Sequence, residues 1–375
     1  MAAALEGITV IDFSRVLAGP LATMVFADLG AEVVKVERPG SGDDTREWGP
    51  PYDGSGVATY FLSVNRGKRS RALDLRDEAG LAEARELIAS SDVLVENFRP
   101  GVMDRLGLGY EALRAEHPGL VYCSLTGFGS GAGAALPGYD LLVQAVGGLM
   151  SVTGDPEGQP QKVGVALVDV VAGLFASVGI LAALRHRDRT GEGQLLEVDL
   201  LSSLLAALVN QSAAYTAGGV VAGRMGNAHP SISPYELYET GEGEIVIAVG
   251  NDRQFAALAE VIGAPELAGD ERFASNDARV ANREALGAEL VERLRQRSGA
   301  EWIEALSQAG VPAGEVNDIA GAFALAERLG LDPVIELERG DGSVVRLPRS
   351  PIGLSATPPS YRSAPPGLGE DPGAG

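Results

Sequence analysis

Cysteine is almost absent: Cys123 is the one cysteine in 375 residues. No intrachain disulfide can form, and a reducing cytoplasm is the expected setting. Histidine is confined to His117, His186 and His229, too scattered for a tetrahedral metal site, so no metal is expected. Lysine occurs at Lys35, Lys68 and Lys162, which leaves arginine to supply nearly all the positive charge. That charge is itself short, with 30 Lys+Arg against 51 Asp+Glu and a formal net charge of −21. Nucleic acid and anionic membranes repel such a chain at long range, so neither is an expected partner. The glycine fingerprint G-x-G-x-x-G is missing as well. After the first strand the chain reads Ser14-Arg-Val-Leu-Ala-Gly-Pro20. This argues against a dinucleotide site, although Glu37 closes the second strand where a ribose-binding acid would stand.

What remains is an ordinary globular composition, 45% hydrophobic and 22% charged. Its length suits a large domain with a smaller appendage. Ile8–Phe13 predicts a buried strand, Leu21–Leu29 an apolar helix closed by Gly30, and Glu32–Glu37 a second strand. A helix over 81–90, a strand over 92–96, a helix over 110–116 and a strand over 120–125 continue the alternation. The fold class is therefore α/β, an open parallel sheet with helices on both faces. Helices are expected over 139–150, 168–186 and 200–215. The pattern then changes to a hairpin, 235–238 and 244–248 around Glu239-Thr-Gly-Glu-Gly243, followed by helices over 252–262, 282–296 and 300–308. Residues 1–205 plus 325–375 are assigned to the large domain, 206–224 to a linker and 225–320 to a small α+β domain. A second hairpin-like pair covers 334–337 and 343–347, and the Pro/Gly-rich end from Ala364 predicts mobility. Met1–Gly7 has no basic stretch, so no secretory leader is expected.

One ionisable group stands in the apolar run from Val163 to Leu184, and it is Asp169. The run is long enough to span a bilayer. An Asp at mid-membrane costs roughly 2.5–3.5 kcal/mol, however, so a fully buried helix in a large core is the expectation. A buried carboxylate is expensive unless it is paired or functional. Asp169 is accordingly a candidate nucleophile or base, or else an acid held at a helix start by the dipole. Arg38, Arg46, Arg66, Lys68, Arg69, Arg71, Arg76, Arg99 and Arg105 cluster early in the chain. They suit either a phosphate-bearing ligand or a solvated face of ion pairs. His229 lies in a Gly/Pro/Ser-rich loop that is either a site cover or a linker. His117 and His186 are expected at the surface and Cys123 in the core.

Seven segments carry a family likeness: Val10–Pro20, Gly30–Pro39, Ser41–Arg46, Asn65–Ser70, Val95–Phe98, Gly138–Asp140 and Val163–Asp169. In this order they resemble the class III CoA-transferases of the CaiB/BaiF type. That family includes formyl-CoA transferase, carnitine CoA-transferases, succinyl-CoA:dicarboxylate CoA-transferases and α-methylacyl-CoA racemase. The resemblance implies that Asp169 is the nucleophile, passing through an acyl-aspartyl anhydride and an aspartyl-CoA thioester. It implies CoA contacts from Val16, Ala18, Arg38, Leu73, Arg76, Asn97, Phe98, Arg105 and Tyr139. Leu17, Arg46, Trp48 and His229 are expected around the acyl group. Coenzyme A enters as acyl-CoA substrate, with no tightly bound cofactor. The implied assembly is an interlocked ring-like homodimer with a Rossmann-like large domain.

Departures from the family pattern bear on the substrate. Members acting on formate or oxalate carry Gln where this chain has Leu17 and Lys where it has Pro137. Their run of lid glycines is not found here. A more apolar, less cationic pocket suits an acid larger than oxalate, and the 225–255 region looks most like the succinyl-CoA:dicarboxylate members. Racemases place His beside Asp, where this chain has Gly138-Tyr139-Asp140. A tyrosine titrating near 10 is a poor proton shuttle at neutral pH, which favours transfer. An epimerase of the same family and a CoA-binding protein without turnover are the alternatives.

Overall fold

The computed structural model describes residues 3–371. The chain divides into two units. The first holds the residues up to Leu149, Lys162–Val220 and those from Asp332 on; the second holds Met150–Gln161 and Val221–Leu331. The 206–224 segment, read as a linker, is helical in part and belongs to the first unit as far as Val220.

The first unit is built on six strands: β1 (Thr9–Asp12), β2 (Glu32–Glu37), β3 (Lys68–Ala72), β4 (Val93–Glu96), β5 (Val121–Thr126) and β6 (Leu195–Asp199). All pair in parallel, in the order β3-β2-β1-β4-β5-β6. Parallel strands need crossovers, and the helices are α1 (Ala18–Asp28), α2 (Thr59–Ser63), α3 (Glu78–Ala89), α4 (Val102–Arg105), α5 (Tyr110–Glu116), α6 (Asp140–Val146), α7 (Leu167–Thr190), α8 (Leu200–Ala207) and α9 (Asn210–Gly218). Side chains alternate across the sheet. Val10, Val33, Val95 and Cys123 pack with α1 and α7 on one face. Ile11, Val34, Leu94 and Tyr122 pack with α3 and α5 on the other. Apolar cores on both faces are what the near-continuous hydrophobic strands demand.

β3 was not legible as a strand, because Lys-Arg-Ser-Arg-Ala has no apolar alternation. Its inward residues, Lys68 and Ser70, are buried in a polar network instead. The single helix expected over 200–215 breaks at Val209, whose φ of 42° is left-handed and ends α8 before α9 begins.

The prediction of a fully buried helix is corrected. α7 buries Val168, Ala172, Gly173, Ala176, Ile180 and Ala183, but leaves Leu174 50% and Val178 65% exposed, with Phe175 and Leu181 also open. By length and composition alone α7 would also pass for a membrane span. Its buried stripe is made of small residues because it packs against α1 at close range. A Cβ on Gly173 would lie 2.6 Å from the Ala18 carbonyl oxygen.

The C-terminal segment is packed rather than loose. Ala364, Pro365 and Pro366 are buried, the Ser70 N–H donates to the Glu370 carbonyl at 2.9 Å, and Arg69 and Arg71 pair with Asp371. Residues 372–375, part of the end expected to be mobile, lie outside the described residues. β10 (Val334–Glu338) and β11 (Val344–Pro348) form the antiparallel hairpin that closes this unit's smaller core. In the second unit β7 (Tyr235–Glu239), β8 (Glu244–Ala248) and β9 (Ala313–Glu315) form an antiparallel sheet. Helices Asp252–Val261, Arg283–Leu294 and Gly299–Gln308 contribute Phe255, Leu290 and Trp302 to a separate core beside it.

Candidate active site

An open parallel sheet offers a ligand crevice where the strand order reverses, at the carboxyl ends of the strands. Here the reversal lies between β1 and β4. The residues that follow those two strands, Val16–Ala18 and Asn97–Pro100, wall a cleft together with Thr126, the last residue of β5, and Gly127–Gly129 after it. Asp169 opens into the same cleft. It comes one helical turn before Gly173, so the close approach of α7 to Ala18 is what brings the carboxylate to the β1 loop.

The loop after β1 is pinned in an unusual shape. Val16 has a φ of 72°, a conformation that costs a β-branched residue of order 1–3 kcal/mol. Its neighbours hold it there. Asn97 accepts the Arg15 N–H at 2.9 Å and donates to the Arg15 carbonyl at 2.7 Å, and Asp43 accepts the Val16 N–H at 3.3 Å. Beneath the loop is a buried charge network. Lys68 pairs with Asp12 at 3.0 Å and Lys35 with Asp43 at 2.9 Å, and all four side chains are fully enclosed. Lys35 also donates to the Ser14 carbonyl at 2.8 Å and Lys68 to the Pro20 carbonyl at 2.9 Å. α1 begins at this loop with no side-chain cap, and Ala18 in its first turn lines the cleft, so its backbone N–H is an anion-binding donor there.

Asp169 sits in the first turn of α7, where the dipole would ordinarily favour its anion. That help is spent on another carboxylate. Asp140, at the start of α6, accepts the Val168 N–H at 2.8 Å and the Asp169 N–H at 3.4 Å. It thereby caps a helix it does not belong to, and Gln144 steadies it at 2.6 Å. Burial, and then the like charge of Asp140, push the Asp169 carboxyl up to about 7. The Tyr60 hydroxyl is raised too, first by burial and then by the charges of Asp169 and Asp140. Trp48 packs edge-on against Tyr60 at 5.2 Å between ring centroids.

A second cleft adjoins the first. Both are lined by Arg15 and Phe98, whose guanidinium and ring are 5.5 Å apart. Of the predicted CoA contacts, Val16, Ala18, Asn97, Phe98 and Tyr139 line the Asp169 cleft, and Arg38, Leu73 and Arg76 line the second. Arg105 lines neither cleft and is exposed at the end of α4. Leu17 and Pro137 both face the Asp169 cleft. Arg46 is absent from its lining and makes a two-pronged contact with Glu37. His229 belongs to the second unit, where its ring packs on Tyr235 at 5.3 Å.

The early basic cluster is mostly structural. Arg66 pairs with the buried Asp28, Lys68 with Asp12, Arg46 with Glu37, and Arg71 with Glu83. Sequence reasoning missed Arg15, Tyr60 and Asp140. Asp140 stands directly before a helix, which marks a cap, but its capping of α7 is visible only in three dimensions.

The sequence profile of CoA-transferase family III matches residues 5–372. A succinate–glutarate CoA-transferase of Agrobacterium fabrum is 44% identical, over 98% of this chain and 93% of its own length. An acetyl-CoA:oxalate CoA-transferase of Acetobacter aceti is 43% identical, over 93% and 89%. The crystal structure of a CaiB/BaiF family protein from Brucella suis superposes with a TM-score of 0.86 at 44% identity, covering 99% of this chain and 97% of that one.

Proposed function

Because this chain belongs to CoA-transferase family III, we propose that it moves CoA from succinyl-CoA to a second dicarboxylic acid, with Asp169 as the covalent nucleophile. The observation that carries this reading is a carboxylate raised toward neutrality, opening into a cleft that shares its Arg15–Phe98 wall with a second, arginine-lined cleft. Pantetheine is long and thin, and two clefts joined at one wall suit it better than a single round pocket. Arg38 and Arg76 serve the phosphates. A Rossmann-like first unit is consistent with contacts of this kind at the strand ends.

The chemistry balances without a cofactor. The Asp169 carboxylate attacks the thioester carbonyl and the C–S bond breaks, giving an acyl-aspartyl anhydride and CoA thiolate. The thiolate attacks the Asp169 carbonyl and releases succinate, which leaves an aspartyl-CoA thioester. The acceptor carboxylate attacks that thioester and expels thiolate. The thiolate then takes the new acyl group and frees Asp169. No net proton moves, and the thioester's free energy stays on the enzyme. Ala18, at the start of α1, lines the cleft and offers its backbone N–H to each tetrahedral oxyanion. Water must be kept from the anhydride, a task for the apolar walls Leu17, Leu136 and Pro137.

Those walls also choose between the acids of the two relatives. Oxalate is short and densely charged, and Leu17 and Pro137 offer it no donors. A panel of oxalate, malonate, glutarate and adipate against succinyl-CoA, read by mass spectrometry, is expected to favour glutarate over oxalate by at least roughly tenfold. Absence of labelled-CoA exchange with every acid would defeat the transferase reading in favour of a CoA-binding protein. Solvent deuterium entering Cα of a 2-methylacyl-CoA without any acceptor would favour epimerisation.

A nucleophile must be ionised, so the pH profile carries a signature. With Asp169 pushed up to about 7, acylation should rise with pH through a midpoint near 7 and level off above it. Asp140→Asn removes the like charge yet keeps an oxygen to accept the α7 N–H groups, and should move that midpoint to lower pH. A midpoint that stays near 7 would assign the whole shift to burial.

The assembly is proposed to be the interlocked homodimer. Leu174, Phe175 and Val178 on α7, Val209 and Tyr215 around α9, Ile319 at the start of the helix Ile319–Arg328 and Leu329 just after it are all exposed in one chain. Each side chain of this size left in water forgoes about 1.5–3 kcal/mol, which a second copy would recover. Cytoplasmic residence fits the free, buried Cys123 thiol.

A further inference from the structure

Arg15 stands apart from the arginines that serve the fold, both in its place and in its contacts. We propose that the Arg15 guanidinium binds the diphosphate of the acyl-CoA where that ligand passes from one cleft to the other; this rests on the CoA-transferase reading above. Arg15 and Phe98 are the two residues that line both clefts. Along CoA the order is thioester, pantetheine, diphosphate, then the ribose with its 3′-phosphate and the adenine. With the thioester at Asp169 in the first cleft and the nucleotide in the second, the diphosphate falls at the shared wall. That wall offers one aromatic face, Phe98, and one cation, Arg15. Val36, Leu73 and Leu106 in the second cleft suit the adenine and have nothing to give an anion.

The structural arginines nearby are spent on acids. Arg66 donates to both oxygens of Asp28 and Arg46 to both of Glu37, and those acids are buried. Arg15 makes one such contact, from Nη1 to Asp44 Oδ2 at 3.2 Å, and both side chains are partly exposed. A guanidinium has five N–H donors, and this single bond leaves Nη2 without an acceptor among the described residues. Nε is enclosed and lacks an acceptor as well. An unmet donor costs free energy, so stability does not explain the placement of this side chain. The other Asp44 oxygen accepts Arg38 Nη2 at 2.8 Å. Arg38 lines the second cleft and Asp44 the first. Two guanidiniums thus converge on one anion across the shared wall, the arrangement that a doubly charged diphosphate requires. Exposed pairs of this kind hold weakly, so the ligand's phosphates can share or replace the carboxylate. The loop itself is held without the Arg15 side chain, because Asn97 bonds the Arg15 backbone N–H and carbonyl.

The test uses the full-length protein with Arg15→Gln and Arg15→Lys, titrated calorimetrically with CoA, dephospho-CoA, succinyl-CoA and acetyl-CoA, and with pantetheine by competition. Arg15→Gln should weaken CoA and dephospho-CoA alike, each by roughly 10–100-fold, and pantetheine, which has no phosphate, by less than about twofold. Succinyl-CoA and acetyl-CoA carry the same diphosphate, so both should lose that same factor. Arg15→Lys keeps a charge without the fork and should bind CoA with an affinity between the other two proteins. An unchanged urea midpoint in Arg15→Gln separates these losses from misfolding. A loss with CoA but not with dephospho-CoA would overturn the proposal and place Arg15 at the 3′-phosphate. A loss with succinyl-CoA but not with acetyl-CoA would overturn it in favour of the distal carboxylate. An equal loss for pantetheine in a folded variant would make Arg15 a support of the cleft, and unchanged CoA affinity would leave it in a surface ion pair; either result overturns the proposal. If the original protein binds CoA but moves it to no acid, the transferase reading fails, and the titrations still decide the role of Arg15.

Discussion

Asp169→Ala is expected to lose CoA exchange by at least about 10⁴-fold while CoA still binds with near-original affinity. The size follows from the chemistry. Without the carboxylate no acyl-enzyme forms, and the remaining route, direct attack of one acid on the other's thioester, has no covalent relay. The two clefts are left intact, since Asp169 is half-buried and its side chain is neither a cap nor part of an ion pair among the described residues. Asp169→Asn, nearly isosteric, should be as inactive as the alanine variant, which separates loss of the nucleophile from loss of volume. Hydroxylamine should trap the acylated aspartate in the original protein and nothing in either variant. Exchange at the original rate in Asp169→Ala would end the covalent account. Loss of CoA binding alongside activity would instead make Asp169 a structural support of the clefts.

The second large effect is on stability and concerns Asp12. Burial raises the pKa of this carboxyl, but Lys68, Lys35, Ser14 and Thr23 outweigh it and hold the group at about 2. Lys68 moves the other way, lowered to about 8 because burial outweighs Asp12. Removing one partner of such a pair leaves an uncompensated buried charge, so Asp12→Ala should lose about 3–5 kcal/mol in urea unfolding at pH 7. The double variant Asp12→Asn/Lys68→Met should lose less than the sum of its single changes, because it buries no orphan ammonium. The pH dependence has a definite sign. An acid whose folded pKa is depressed stabilises above its unfolded value near 4, and that contribution disappears as pH falls toward 2. Asp12→Asn should flatten the acid limb in that window. An unaltered unfolding midpoint in Asp12→Ala would mean that the network contributes nothing to folding. A variant that folds normally yet binds CoA poorly would show that the network serves the strained Val16 loop alone.

The basic cluster suits either a phosphate-bearing ligand or a solvated face of ion pairs, and the structure divides it in two. Arg38 and Arg76 line a cleft and hold exposed pairs with the nearby Asp44 and Asp74, whereas Arg66, Lys68 and Arg71 are tied to acids on other elements. In sequence these residues look alike. Which arginine meets solvent depends on where Asp28, Asp12 and Glu83 arrive, and those lie on other elements. Arg46 shows the same limit: the family resemblance implies a place at the acyl group, and its neighbours in space are Glu37, Phe61 and Pro366.

From the sequence came the four central strands of the parallel sheet, the loops between them and the one acid worth following. Strand and helix periodicities are local, and an ionisable group in an apolar run is conspicuous without coordinates. Only the tertiary structure shows that β3 and β6 are strands, that α7 has an open face, and that Asp140 caps the helix bearing Asp169. The physical reason is that each of these depends on a partner distant in the chain, and the energies of burial, charge pairing and capping are set by that partner rather than by the residue's own neighbours.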